Sequence, residues 1–262
     1  MSQVSVTSDG NIASISLHNP PQNRLSPEML VDLADALETV ERGEARALIL
    51  RADGQDFSFG GDIAPWPAMS QRQLRTLFES YLTTCNRFER LPIPTIAAVQ
   101  GLCFGGGLEL ALRADVVFAA ENARFGHPEQ SIAIVTLLGG IHRVAERAGR
   151  SKAMEWALTS EQVPATTMAA HGVINRVVPD AALLDEAMAF ARKVAGGATR
   201  AHAAHKALLR AWVNGGTASA DEVLLDLAMH LFESEDTKMA IPAAVDALRE
   251  GKPRPVFDFK GR

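Results

Sequence analysis

The 262-residue chain has no apolar run approaching the roughly 18 residues that a membrane-spanning helix needs, so no transmembrane segment is expected. Its opening residues, MSQVSVTSDG, have neither a basic patch nor an apolar stretch, so no signal peptide is expected either. Cysteine is scarce: Cys85 and Cys103 are the only two, and neither falls in a CxxC or zinc-ligand spacing. They read as reduced, buried thiols of a cytoplasmic protein. Histidine pairing is also lacking. Only His202 and His205 share an i, i+3 spacing, among alanines and basic residues that suit a solvated helix face, so no metal site is expected. There is no excess of positive charge. The 31 acidic and 26 basic side chains give a net charge of −5, which disfavours nucleic acid or an anionic membrane as the main partner but leaves room for an anionic small ligand. Three chemical signatures are missing as well: a GxSxG nucleophile elbow, a glycine loop followed by Lys-Ser/Thr, and GxGxxG.

What is present is ordinary for a globular chain, with 47% apolar and 22% charged residues. The length lies between one domain and two, so one main domain with an appendage is expected. Val4–Thr7 and Ile12–Leu17 alternate as strands, and Asp9-Gly10 between them is a hairpin turn. Ser26-Pro27-Glu28 opens a helix that Met29, Leu30, Leu33, Leu37 and Val40 carry to about Glu41. Buried strands are predicted over Arg46–Arg51, Thr95–Gln100 and Val116–Ala119, with a long helix from about Gln71 to Arg90 stopped by Leu91-Pro92-Ile93-Pro94. A short helix is predicted over Leu108–Arg113. This alternation predicts βαβ units and a largely parallel sheet with right-handed crossovers. After Gly139-Gly140 the pattern becomes helical, around 142–148, 151–159, 164–171, 180–195, 199–213, 219–234 and 237–249, with one strand at Ile174–Val178. Residues 1–195 therefore read as the core and 196–262 as a helical appendage.

Three loops hold residue types that can carry chemistry. In Phe57–Ile63 a glycine pair precedes Asp62; glycine permits close backbone approach to a ligand, although for the pair taken alone a tight structural turn is the favoured reading. In Gly105-Gly106-Gly107-Leu108-Glu109, three glycines at a strand-to-helix junction leave N–H groups unpaired at the positive helix end. A plain glycine-rich turn, with Glu109 complementing the helix dipole, is the alternative. In Phe125-Gly126-His127-Pro128-Glu129 a second carboxylate follows, 20 residues after Glu109. Two carboxylates near one anion hole can act as acid and base, whereas Glu129 alone could be a surface residue.

The order of these pieces is more specific than any one of them. FSFGGDI, then GLCFGGGLELAL, then FGHPE, then a glycine pair resembles the crotonase (enoyl-CoA hydratase/isomerase) superfamily. HNPPQNRLS at 18–26, LPIPTIAAVQG at 91–101, GVINRVVP at 172–179, FESED at 232–236 and the tail GKPRPVFDFKGR agree with it, so the resemblance spans essentially the whole chain. It implies an α/β fold, the crotonase (ClpP-like) spiral of ββα units, with a C-terminal helical region that makes homotrimers, often paired into hexamers. It implies a coenzyme A thioester as substrate and no separate cofactor. The thioester oxygen would be held by the N–H groups of Gly61 and Gly106, with Glu109 and Glu129 as the catalytic pair that adds water to a 2-enoyl-CoA. Arg24, Leu25, Ser58, Phe59, Gly60, Asp62, Ile63, Gly105, Thr136, Leu137 and Lys252 match positions around the substrate. Trp66 and the helix at 71–90 would supply pocket walls.

This chain departs from the family pattern at four of these positions. Leu137 stands where relatives have glycine, Phe59 and Gly61 stand for small alanines, and Arg24 stands where alanine is common, in reach of a coenzyme A phosphate. Isomerases and other members commonly retain one of the two glutamates, so the pair favours hydration. Double-bond isomerisation, thioester hydrolysis or non-catalytic acyl-CoA binding are the competing expectations.

Overall fold

The computed structural model describes residues 2–262. A hairpin of β1 (Val4–Asp9) and β2 (Ile12–Leu17) leads through a polar loop to α1 (Pro27–Arg42), β3 (Ala47–Ala52), α2 (Gln71–Glu89) and β4 (Thr95–Val99). There follow β5 (Leu102–Phe104), α3 (Gly106–Ala111), β6 (Val116–Ala120), β7 (Arg124–Gly126), α4 (Gly140–Ala148) and α5 (Arg150–Thr159). The chain continues with β8 (Val163–Pro164), α6 (Ala165–Ala170), β9 (Arg176–Val178), α7 (Leu183–Ala195), α8 (Thr199–Phe232) and α9 (Glu235–Arg249).

The main sheet runs β1-β2-β3-β4-β6-β9, parallel throughout except for the opening hairpin. Its central strands β3, β4 and β6 are largely apolar without alternation because both faces are covered, as buried parallel sheets require. Leu48 and Leu50 of β3 and Ala97 and Val99 of β4 point into the larger core, against α1 and α2. Ala47, Ile49, Ile96 and Ala98 point the other way, onto Leu183, Ala187, Ala191 and Ala195. Those last four residues recur every fourth position of α7, a stripe of mostly small side chains that lets the helix lie close on the sheet.

Helix starts follow the sequence. Ser26 Oγ accepts the Met29 N–H at 3.1 Å with Pro27 at the first position. Ser70 and Gln73 form a reciprocal capping box ahead of α2. The small second sheet, β5-β7-β8, is absent from the sequence prediction. Each of its strands is two or three residues long, too short for a period of two to register. Two predicted helices at 199–213 and 219–234 are one helical run, broken only at Gly216 (φ 73°, ψ −167°).

Among the described residues, no helix is long and apolar enough to cross a membrane. Helix α8 contains no buried residue, and Leu209, Trp212, Leu225, Met229 and Phe232 are all about half exposed or more.

Candidate active site

The loop at 57–63 is laid against β5, with Ser58 N–H donating to Leu102 O at 3.1 Å and Phe104 N–H to Ser58 O at 2.9 Å. Ser58 is fully buried; its hydroxyl donates to Asn23 O at 2.6 Å and accepts the Gly60 N–H at 3.2 Å. Leu25 then straddles the glycine pair: its N–H donates to Gly60 O at 2.8 Å and its carbonyl accepts from Asp62 N–H at 3.1 Å. The neighbours of Gly61 are thereby tied down while the Gly61 N–H itself has no protein acceptor among the described residues. Gly60 has φ +92°, and a side chain there would meet Phe104 O at 2.9 Å, so glycine is required.

The second loop is built the same way. Gly105 turns the chain at φ 49°, ψ −125°, donating its N–H to Gly126 O at 3.0 Å. Gly106 is the first residue of α3, where an N–H has no partner within the helix, and none elsewhere is found among the described residues. A Cβ on Gly106 would stand 3.6 Å from Gly61 N, so the two free amides are neighbours.

Glu109 follows within the first turn of α3 and is 2% exposed. Its Oε1 accepts from Leu138 N–H and Gly140 N–H, both at 2.8 Å. Burial pushes its pKa above the ordinary carboxylate value, and those two amides and Arg113 pull back. Arg113, one turn further along, donates to Leu138 O at 2.7 Å and to Asn86 and Glu89. Arg143 pairs with Glu89 at 2.6 Å and donates to Gly139 O at 3.1 Å. The turn at 137–140 is thus held by its N–H groups to Glu109 and by its carbonyls to two arginines. The sequence names the turn and Glu109, but nothing in it marks Arg113 as the clamp.

Glu129 lies in the 3-10 turn Pro128–Ile132, 8% exposed rather than on the surface. Its Oε1 approaches Gly105, 3.0 Å from where a Cβ there would be, and its Oε2 is buried without a partner. Burial, with the negative charge of Glu109 adding, raises its pKa to about 7. The native state therefore keeps a proton that the unfolded chain releases at an ordinary carboxylate pKa. Stability contributed by that proton is full below the ordinary value and is lost as pH rises through about 7. Glu129→Gln, which cannot ionise, is expected to stabilise the protein by roughly 1–3 kcal/mol relative to wild type at pH 8 and to give no such gain at pH 5. Urea unfolding followed by tryptophan fluorescence at fixed protein concentration measures both.

Gly61, Gly106, Glu109 and Glu129 line one cavity of about 220 Å³. Arg24, Leu25, Phe59, Gly60, Ile63, Gly105 and Leu137 of the sequence-derived set line it too, and so does Trp66. The remaining members of that set do not. Ser58 is a buried brace, as above. Asp62 caps Ala64 N–H at 3.1 Å, Thr136 accepts weakly from Ile141 N–H at 3.4 Å, and Lys252 pairs with Glu250 at 2.7 Å near the C-terminus. Phe78 and Tyr81, a helical i, i+3 pair on α2, complete an aromatic wall in which Trp66 meets Phe78 edge-on and Phe78 meets Tyr81 likewise. Pro128, Ser131, Ile132, Ile134 and Leu138 are further lining residues the sequence reading misses, because a loop of irregular backbone carries no period. In that lining the Arg24 guanidinium stacks 4.8 Å over the Phe59 ring.

The chain is similar to known proteins over nearly its whole length. The family model described as enoyl-CoA hydratase/isomerase matches residues 7–251. A probable enoyl-CoA hydratase of Bacillus subtilis is 31% identical, with all of both chains covered. A putative enoyl-CoA hydratase of Thermus thermophilus is 35% identical over 77% of this chain and 81% of its own. The crystal structure of an enoyl-CoA hydratase from Bacillus anthracis superposes with a TM-score of 0.88 at 27% identity, covering 99% of this chain and 100% of that one. With matches that run over nearly its whole length, the chain belongs to the enoyl-CoA hydratase/isomerase family of the crotonase superfamily.

Proposed function

We propose that the protein is an enoyl-CoA hydratase, adding water across the 2,3 double bond of a 2-enoyl-CoA thioester. One observation carries this reading: two unpaired backbone amides and two buried carboxyl groups, held in different ways, converge on a single cavity. The thioester oxygen accepts from Gly61 N–H and Gly106 N–H. These donors are strongest when the oxygen becomes an enolate, which is how such a pair lowers a barrier. The Glu109 carboxylate, kept basic by desolvation and kept in place by Leu138 and Gly140, takes a proton from water as the water oxygen bonds to C3. The electron pair of the double bond moves toward the thioester oxygen. Glu129, holding a proton near neutral pH, gives it to C2, and the pair returns to its starting charge after one proton exchange with solvent.

Arg24 and Phe59, stacked together in the cavity lining, suit the phosphate and adenine portions of coenzyme A. The site-bearing core is residues 1–195. Residues 196–262 form the oligomerisation region of a homotrimer or a hexamer of paired trimers, which the exposed apolar side chains of α8 support.

Conversion of crotonyl-CoA to 3-hydroxybutyryl-CoA, followed by loss of the conjugated thioester absorbance and by mass, tests the reading. Absence of hydration with crotonyl-CoA and with longer or branched 2-enoyl-CoA esters overturns it. Leu137 favours a second reading, because its bulk lines the cavity and takes room from a water molecule. In that case 3-enoyl-CoA isomerises, or acyl-CoA is hydrolysed, under the same assay conditions.

A further inference from the structure

Among the described residues, His127 is the one imidazole buried beside the proposed reaction centre, and the hydration scheme leaves it without a task. It precedes the 3-10 turn that carries Glu129 and is 2% exposed. Neither Nδ1 nor Nε2 has a hydrogen-bond partner among the described residues. A buried imidazole with both nitrogens idle forgoes interactions it had in water, and such groups are uncommon unless the site uses them. The nearest counterpart is in the same condition. Nδ1 lies 3.9 Å from Glu129 Oε2, which is also buried and unpartnered. That separation is about 1 Å beyond a hydrogen bond, the kind of gap that closes when a site tightens on substrate.

The two oxygens of Glu129 face different ways. Oε1 sits at Gly105, on the side of the cavity, and Oε2 sits on the side of His127. Across the ring, His127 Cε1 would lie 2.6 Å and Glu109 Cγ 2.8 Å from a Cβ on Gly140, so glycine at 140 lets imidazole and Glu109 close in from two sides. The contact with Glu129 is not an ion pair. Burial lowers the His127 pKa to about 4, so the ring is neutral near pH 7 and offers one N–H and one lone pair. The charge that faces Glu129 from the packed elements is that of Glu109 on α3.

We propose that His127 is a positioning residue for the proton-donating carboxyl: its Nδ1–H donates to Glu129 Oε2 and thereby turns Oε1 toward C2 of the bound acyl group. This rests on the hydratase reading for its substrate, but not for its geometry. A donor at Oε2 stabilises the carboxylate more than the acid, because a hydrogen bond to a charged group is the stronger one. It offsets part of the rise that burial imposes, and it keeps the carboxyl from rotating during proton transfer.

The test compares His127→Leu, which keeps bulk and removes both nitrogens, with His127→Gln, whose amide N–H can reach the same oxygen. In His127→Leu, kcat is expected to fall about tenfold to a hundredfold with KM little changed, the scale of a misplaced reacting group. The alkaline limb of the pH profile, where Glu129 loses its proton, is expected to move up by about one pH unit. His127→Gln is expected to restore most of both. A readout independent of hydration is the titration of the Glu129 side-chain carboxyl, by carbon-13 NMR of ligand-free labelled protein with Glu129→Gln identifying the signal. It too is expected to shift up in His127→Leu and return in His127→Gln. If the wild type fails to hydrate any enoyl-CoA while the carboxyl titration still shifts, the hydratase reading falls and the His127 contact stands. An unchanged carboxyl titration in a folded His127→Leu protein overturns the proposal, whatever kcat does, because a merely structural histidine would leave that titration in place.

Discussion

Glu129→Gln is expected to lower kcat/KM for water addition to crotonyl-CoA by about 10²–10⁴-fold, the range a positioned general acid or base supplies, and Glu109→Gln to fall in the same range. Both substitutions are close to isosteric, so the expected loss is chemical. Glutamine at 129 fits the buried position and neither gives nor takes a proton near neutral pH. Glutamine at 109 retains a carbonyl oxygen for the Leu138 and Gly140 N–H groups, each now 2.8 Å from Glu109 Oε1. The 137–140 turn therefore keeps its shape while the proposed base is lost. The losses are expected in kcat, with KM changing little, because neither carboxyl contributes to holding coenzyme A. The double variant is expected to be far less impaired than the product of the two single effects, since both groups serve one step. Stopped or continuous absorbance assays on the three variants measure all of this. Full activity in both single variants overturns the two-carboxylate mechanism.

Gly106→Pro is expected to reduce kcat by about 10²–10³-fold, the loss that follows removal of one oxyanion donor, worth about 3–4 kcal/mol. The position suits the test. Gly106 is the first residue of α3, where proline is tolerated because the N–H there bonds to nothing in the helix. Gly106→Ala is the control. It keeps the N–H and places a Cβ 3.0 Å from Leu25 Cδ1, the end of a side chain that can give by a few tenths of an ångström. The alanine variant is expected to retain most of the activity and the proline variant to lose it, with both folded by circular dichroism. Equal losses in the two variants would trace the effect to crowding against Leu25 instead of the missing donor. By contrast Gly107, whose Cβ would meet Ser58 O at 2.7 Å, is constrained by packing rather than by chemistry.

The main sheet and the helix starts were legible because each long element repeats its signal. Ser26-Pro27 announces α1, and the apolar run at 47–50 announces a strand covered on both faces. The small sheet of β5, β7 and β8 was not legible, since strands of two or three residues carry no period. Within the site, Glu109 and the two glycine loops were readable by motif and spacing. The burial of Glu129, its pKa near 7, the idle imidazole of His127 and the Arg113 clamp were not, because each depends on what lies across the fold rather than along the chain. Phe78 and Tyr81 were anticipated only as part of a helix that walls the pocket.

By itself the sequence determined the family, the order of its loops, the residue types at the proposed reaction centre and the capacity of glycine to bare an amide. These are local properties: a dihedral that only glycine adopts at 60 and 105, a helix that begins at 106, a carboxylate within the next turn. Tertiary structure decided which amides stay unpaired, since Leu25 ties the residues on either side of Gly61 and leaves that one free. It also decided how each carboxyl is held. Glu109 is given two N–H donors from a turn 29 and 31 residues away, whereas Glu129 is buried with an oxygen that meets none. Desolvation and hydrogen bonding act through space, so burial raises the pKa of both glutamates while the Leu138 and Gly140 amides pull back on Glu109.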